Sequence, residues 1–480
     1  MLSNDQVLNT TQFRRLSEQQ CQKLYWACLE ILERTGVRLH NQDALDLLGK
    51  AGVAATDGNR VRIPAGLVEK ALSTVPRQVT LCDRHGNGVM PVGGYRSFFG
   101  PGSDCLNIID HRTNQRRRPV LQDVVDAVTV ADALPRIDFV MCMFAPMDVP
   151  QSVADRCQME AMLNHTTKPI IFVTTDFSGC EDVIEMAEMV VGGAESLREN
   201  PMVACYINVA TGLRHNPEAL QKLLYLSGKG LPLIYVPSTQ GGATAPVTVA
   251  GAMAVAQAGA LAGLVLSQLK REGAPFIMPG WGGNMLDMRT TVQPYADPDK
   301  RALVPDFVHF LGLPMFALAG CSDSKTVDQQ AGIEAALTLM TDALCGGNIV
   351  HDLGYLESGM TGSLAQLVIC DEILSWLEHF VRGVEISDET LALDLIDAVG
   401  PDGQYLDSDH TLKHHRERWY PDLFDRDNYD GWLDKGSRTL EQRATERVTR
   451  ILGGHTPEPL PQVAVEGIRA IVERSEAQHA

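Results

Sequence analysis

Between Asp104 and Arg382 a short apolar run followed by a stretch with apolar residues at helical spacing recurs eight times. The runs begin near Asp104, Asp138, Pro169, Met202, Pro232, Pro275, Pro314 and Asn348. Their spacing of roughly 30 to 43 residues suits a strand, a helix and two loops. Runs such as PIIFVTT (169–175), MVACYINVA (202–210), PLIYVPS (232–238), PFIMPG (275–280) and PMFALAG (314–320) do not alternate with polar residues, as expected of strands covered on both faces. The intervening patterns predict helices over 120–133, 151–164, 180–195, 217–229, 247–271, 299–311, 326–345 and 363–381. A doubly wound open sheet gives the same alternation. Eight even units favour closure, and no G-x-G-x-x-G opens a helix after the first strand. The predicted class is α/β: a (β/α)8 TIM barrel over 101–383, with a small α+β module over 1–100 and a helical and irregular extension over 384–480 that packs on the barrel or on a neighbouring subunit.

The flanking segments have patterns of their own. Residues 1–16 are polar and aperiodic, an expected arm. From Ser17 a capping residue, Gln20 three positions on, helically spaced apolar residues and Gly36 as a stop predict a helix. Helices near 42–51 and 65–74, a hairpin turning at Asp57-Gly58 and strands near 78–83 and 89–92 complete the module. After the first barrel strand, CLNIIDHRTNQRRRPV predicts an inserted hairpin, with Arg116, Arg117 and Arg118 in a solvated turn or, as the lesser alternative, a docking contact. Beyond the barrel, helices are expected over 386–398, 437–453 and 462–477. The aromatic stretch 400–433 is expected to wrap an outer surface or touch a neighbouring subunit.

Composition narrows the function. A net charge of −19, from 41 Lys+Arg against 60 Asp+Glu, argues against nucleic acid or an anionic membrane as the main partner. The 11 cysteines are scattered without C-x-x-C spacing, which suits reduced thiols and a cytoplasmic location. No signal peptide is found. The Ala/Gly-rich 247–266 reads as a packed or subunit-contacting helix rather than a membrane span, and a homo-oligomer is expected.

In a barrel of this kind the chemistry sits at the carboxyl ends of the strands. That leaves GSD (102–104), FAPM (144–147), TTDF (174–177), NVATG (208–212), VPSTQGG (236–242), PGWGGNM (279–285), AGCSDSK (319–325) and HDLGYLE (351–357). None contains G-x-S-x-G, H-E-x-x-H or a Walker loop. Trp281, between glycines, with Tyr95, Phe99 and Tyr355 could enclose a cation; Phe98 is better read as packing. His351, at the end of the last strand, can reach the mouth and donate to a carboxylate. Lys325 is either a Schiff-base lysine, which would make this an aldolase or lyase, or a surface residue opening a helix. His410, His414 and His415 have the i, i+4 spacing of a zinc pair but no adjacent acidic or cysteine ligand, and no metal is expected.

Three blocks, AGCSDSKTVDQQAGIEA (319–335), GGNIVHDLGYLESGMTGSLAQLVICDEI (346–373) and HTLKHHRERWYPDLF (410–424), resemble the trimethylamine methyltransferase (MttB) family of corrinoid-dependent methyltransferases. The resemblance extends over almost the whole chain and implies a (β/α)8 barrel. Archaeal members carry pyrrolysine at the barrel mouth. This chain, with ordinary residues throughout the corresponding region near 321–325, is similar to the non-pyrrolysine branch, whose members use glycine betaine, carnitine or proline betaine. The resemblance therefore implies methyl transfer from a quaternary amine to the cob(I)alamin of a separate corrinoid protein, with no tightly bound cofactor on this chain. D-x-H-x-x-G, the corrinoid carrier signature, is not matched by Asp110-His111. On this reading Tyr95, Phe99 and Trp281 face the ammonium and His351 the carboxylate, with Gln240, Ser322, Lys325 and Tyr355 as further substrate-binding candidates. The competing readings are another barrel enzyme using Lys325 and a barrel that binds a quaternary amine without catalysis.

Overall fold

A computed structural model describes residues 13–479. Most of the expected terminal arm lies outside the described residues. At the start of the first helix, Glu18–Glu30, the hydroxyl of Ser17 accepts from the Gln20 amide while the Gln20 side chain accepts from the Ser17 amide. This reciprocal pair satisfies two otherwise unpaired helix-end donors. Gly36, at φ 73, ends the helical run. The hairpin of Ala55–Thr56 and Arg60–Val61 turns through Asp57 and Gly58, both at positive φ, as the dipeptide predicted.

The central sheet has seven strands: β1 (Phe98–Pro101), β2 (Ile170–Phe172), β3 (Val203–Val209), β4 (Leu233–Pro237), β5 (Phe276–Pro279), β6 (Met315–Leu318) and β7 (Ile349–Leu353). All pair in parallel, in the order β1-β7-β6-β5-β4-β3-β2, so the sheet curls until its first strand lies beside its last. Residues 138–145 bond to both edges. Asp138 N–H donates to Phe99 O (2.7 Å), Cys105 N–H to Met143 O (3.0 Å) and Ile171 N–H to Val140 O (2.9 Å). The eight predicted helices are present, from Leu121–Ala133, which follows β1, to Leu364–Val381, which follows β7.

Six of the eight predicted strand starts fall within one residue of those observed. The first is a correction: the strand is Phe98–Pro101, and Asp104 lies beyond its carboxyl end in a left-handed conformation at φ 65. The apolar Phe-Phe pair forms the strand, whereas GSD after it turns. The second predicted start, Asp138, opens the edge-bonded segment rather than a regular strand.

Alternation splits the core into two layers. Phe98, Phe139, Met141, Ile171, Ala204, Ile234, Ile277, Phe316 and Ile349 fill the inside of the curl. The hairpin Val79–Cys82 with Gly88–Val92 adds Leu81, Met90 and Val92 to this inner core. Phe99 belongs to the outer layer, between sheet and helices.

The remaining elements are packed against this frame. Val249–Lys270, the one described helix long and apolar enough to cross a membrane, lies beneath Glu18–Glu30 and Ala65–Thr74, with 78% of its apolar 18-residue stretch buried within the chain. It is a packed helix because Gly259 and Gly263 have no side chain: a Cβ would stand 1.9 Å from Gly212 O and 2.3 Å from the Tyr235 ring, respectively. The inserted hairpin forms from Asn107–Ile109 and Arg116–Arg117. Its arginines are engaged in ion pairs, Arg117 with Asp110 and Asp123 and Arg116 with Glu357. The aromatic stretch wraps onto Leu364–Val381, where Trp419 Nε1 donates to Ser375 Oγ (2.9 Å). The predicted helix over 386–398 is broken at Ala392, φ 49, into Asp388–Leu391 and Leu393–Val399. All 11 cysteines are buried and unpaired.

Candidate active site

A cavity of about 350 Å³ opens at the carboxyl ends of the strands. Four side chains anticipated from sequence, Gln240, Trp281, His351 and Tyr355, line it together. Trp281 follows β5, with its ring centroid 5.1 Å from that of His351, 5.5 Å from Phe316 and 6.4 Å from Tyr206. Tyr206 enters from β3, and Tyr295 comes from the loop after β5. The wall is therefore aromatic on several sides, a surface that attracts a cation without offering a nucleophile.

Four anticipated residues lie elsewhere. Tyr95 is three residues before β1, at the amino end of the sheet. There it stacks on His309 (4.1 Å between centroids) and its hydroxyl accepts from Arg14 (2.6 Å). Phe99 points outward because its neighbour Phe98 points inward, and period two leaves no other choice. Ser322 is buried and donates to Glu334 Oε2 (2.6 Å). Lys325 is exposed, with Nζ donating to the Asp323 carbonyl (2.7 Å), so it opens the turn before Gln329–Cys345 and does not enter the cavity.

Ser103, Asp104, Tyr206, Asn208, Ser238, Thr239, Gln293, Tyr295, Leu318 and Asp352 complete the lining. Several lie in strand-end stretches already singled out. Tyr206 gives no such signal, being an aromatic inside an apolar strand, and neither does Tyr295, which lies well beyond its strand.

Asp352 occupies an unusual position. It sits in β7 at φ 78, where the pairing with β1 shifts register between Val350 and Leu353. Such a bulge turns two successive residues toward one side, so His351 and Asp352 both face the cavity. A non-glycine residue at this φ is strained, and strain of this kind collects at functional sites. Gly102 makes room: a Cβ there would stand 2.1 Å from Asp352 Oδ1 and 2.4 Å from Tyr355 Cζ. Tyr355 is in turn held by its hydroxyl, which donates to the Ser103 carbonyl.

Burial governs the charges here. It pushes the Asp352 carboxyl up to about 8, against the opposing pull of Lys300 and Arg301, and pushes Asp104 up to about 6. The same burial lowers His351 to about 3. His351 Nδ1 lies 2.5 Å from Ala317 O, an acceptor, so this nitrogen carries the hydrogen. Nε2 then has a lone pair facing Asp352 Oδ1 at 3.3 Å, an arrangement that suits a protonated carboxyl. Both imidazole nitrogens thus meet protein oxygens, and His351 has no free donor for a substrate carboxylate.

The histidine cluster of the extension does not join this site. His414 contacts Glu417 (2.7 Å) and Glu389 (3.3 Å), and His415 Nδ1 meets Leu412 O (3.0 Å). Among the described residues no group of three or more His, Cys, Asp or Glu is arranged to hold a metal.

Comparison with known proteins adds the family context. Residues 3–480 match the family model described as trimethylamine methyltransferase (MTTB). Trimethylamine methyltransferase MttB of Desulfitobacterium hafniense (strain DSM 10664 / DCB-2) is 32% identical over 467 residues, 96% of this chain and 94% of that protein. Glycine betaine methyltransferase of Desulfitobacterium hafniense (strain Y51) is 30% identical over 451 residues, covering 93% of each chain. Trimethylamine methyltransferase MttB of Methanosarcina barkeri is 27% identical over 480 residues, covering 98% and 97%.

Proposed function

Because this chain belongs to the trimethylamine methyltransferase family and is a methyltransferase, we propose that it moves a methyl group from glycine betaine or a related quaternary amine to the cob(I)alamin of a separate corrinoid protein. The observation that carries the reading is the cavity at the strand ends, walled by Tyr206, Trp281, Tyr295 and Tyr355 and sized for a small amine. The glycine betaine methyltransferase among the relatives supports the betaine. The same reading treats residues 138–145 as the strand that closes a (β/α)8 barrel, and keeps the three-part division, with the boundary expected at 100/101 moved to before Phe98 because Phe98–Pro101 is the first barrel strand. It also keeps a cytoplasmic, homo-oligomeric protein.

The corrinoid carried by the partner supplies the nucleophile. A quaternary nitrogen is already a leaving group, since the electron pair of the broken C–N bond returns to it and neutralises its charge. This chain's residues bind the amine, turn one methyl toward the cavity mouth and exclude water. Lys325 has no part in this, and a Schiff-base lyase is disfavoured by its exposed position.

The purified protein with a cognate corrinoid protein should methylate the corrinoid from at least one of glycine betaine, carnitine, proline betaine or choline, followed by the corrinoid absorption spectrum. Tight binding without methylation would favour a non-catalytic binder. Within this reading, Trp281→Leu is expected to weaken binding of the active amine by about 2 kcal/mol, roughly thirtyfold, by removing a desolvated ring face. An unchanged Kd would take Trp281 out of the ammonium site.

A further inference from the structure

The cavity has two chemically different walls. Asp104 follows β1 and Asp352 lies in β7, and β1 and β7 are neighbours. Asn208 lies at the end of β3, and Ser238, Thr239 and Gln240 follow β4; these strands are also neighbours. In the curled sheet β5 and β6, with Trp281 and Leu318 at their ends, separate the two pairs. One wall is acidic and the opposite one carries neutral donors. No lysine or arginine is among the residues lining the cavity. Both aspartates are held on left-handed backbone, at φ 65 and φ 78, conformations that only the surrounding structure maintains.

We propose that Asp352, backed by Asp104, is the counter-charge for the substrate's ammonium group, and that Asp352 gives up its proton to solvent when the cation enters. The neutral wall of Asn208, Ser238, Thr239 and Gln240 then faces the carboxylate of a betaine. This inference rests on the quaternary-amine reading above and specifies how that amine is recognised.

The exchange balances charge. An empty cavity holds Asp352 protonated, because burial of its carboxyl outweighs the attraction of Lys300 and Arg301. When a cation enters, the Asp352 O–H bond breaks, the proton goes to bulk water, and the carboxylate pairs with the ammonium. Once the methyl has left and the amine is neutral, the carboxylate takes up a proton again, which loosens the product.

Other titratable groups face Asp352: His351 beside it, Cys105 and Asp104 after β1, Tyr206 of β3, Tyr295 and Lys300 of the loop after β5, Arg301, Cys321 after β6, and Tyr355. The tyrosines are raised by burial and Cys321 is pushed up to about 12, so all stay neutral at pH 7. Lys300, lowered to about 8 by burial, titrates in the same range as Asp352, and Asp104, pushed up to about 6, titrates just below it and is mostly ionised at pH 7.

The test is calorimetric titration of the full chain with tetramethylammonium and with glycine betaine at pH 7, in phosphate and in Tris. Different apparent heats in the two buffers, corresponding to a substantial fraction of one proton released per cation, are expected. The affinity for tetramethylammonium should rise about tenfold per pH unit up to about pH 8 and then level off. Asp352→Asn should remove both the proton release and the pH dependence, and weaken tetramethylammonium at least tenfold. Equal heats in both buffers with binding intact would overturn the proton exchange and leave the quaternary-amine reading standing. Proton release that persists in Asp352→Asn would assign it to Lys300 or Asp104 and overturn the role of Asp352. Absence of binding by any quaternary amine would sink both readings. The wild-type arm decides the exchange even if the variant does not fold.

Discussion

Gly102→Ala is expected to lower kcat/KM at least about 100-fold while leaving the protein folded, since displacing groups at a reacting centre by about 1 Å can cost that much. The new Cβ would stand 2.1 Å from Asp352 Oδ1 and 2.5 Å from the Tyr355 hydroxyl. The only room for either atom to retreat is the cavity that both line. Asp352 is fixed by its left-handed backbone in β7, and the Tyr355 hydroxyl is anchored on the Ser103 carbonyl. The clash therefore pushes both side chains into the cavity or moves β1 away from β7. Gly102 is not itself in a left-handed conformation, so alanine adds no backbone strain there. Steady-state rates with the active amine, alongside circular dichroism and a thermal melt, separate a filled site from a broken fold. Turnover within a few-fold of wild type would show that the space in front of Gly102 is not used.

The largest effect on stability is expected away from the site. Arg156 is the bulkiest fully buried side chain described, and its guanidinium meets Asp155 (2.9 Å), Asp182 (3.0 Å) and Asp176 (3.5 Å). It also donates to Ser178 Oγ (2.8 Å). Asp155 is nearly as buried, and its second oxygen accepts from the Thr175 amide (3.0 Å), so the pair ties Ala154–His165 to the loop after β2. Arg156→Met keeps most of the volume but leaves a buried carboxylate without its partner. The expected loss is about 3 to 5 kcal/mol, a large share of the roughly 5 to 15 kcal/mol that holds a typical fold together. Asp176 is 42% exposed and contributes little to that figure. Urea unfolding followed by tryptophan fluorescence measures it. A loss below about 1 kcal/mol would mean that the cluster relaxes or hydrates when the guanidinium is removed.

Much of the framework was legible in local pattern. The Ser17/Gln20 box, the Asp57-Gly58 turn and the apolar runs at 169–175, 202–210, 232–238, 275–280 and 314–320 each form what their residues favour. These depend on interactions among residues a few positions apart, which a linear pattern records. Restricting chemistry to strand ends placed Gln240, Trp281, His351 and Tyr355 in one cavity, and the stretches GSD and HDLGYLE contain the two aspartates.

The facing of individual side chains was not legible. Phe98 and Phe99 are chemically alike, and only the pairing of β1 with β7 decides that the first fills the interior and the second the helix layer. A shift of one residue would have exchanged them. Tyr95 looked close to the strand start, but it stands at the opposite end of the sheet from the cavity. His351 reached the mouth as expected, yet its nitrogens were claimed by Ala317 and Asp352, partners 34 positions away and next door. Strand and helix identity is thus set by short-range backbone preference and burial period, both written in the order of residues. The meeting of Gly102, Tyr355 and Asp352 depends on strand register and on one bulge between the first and last strands, and these exist only once the sheet has curled.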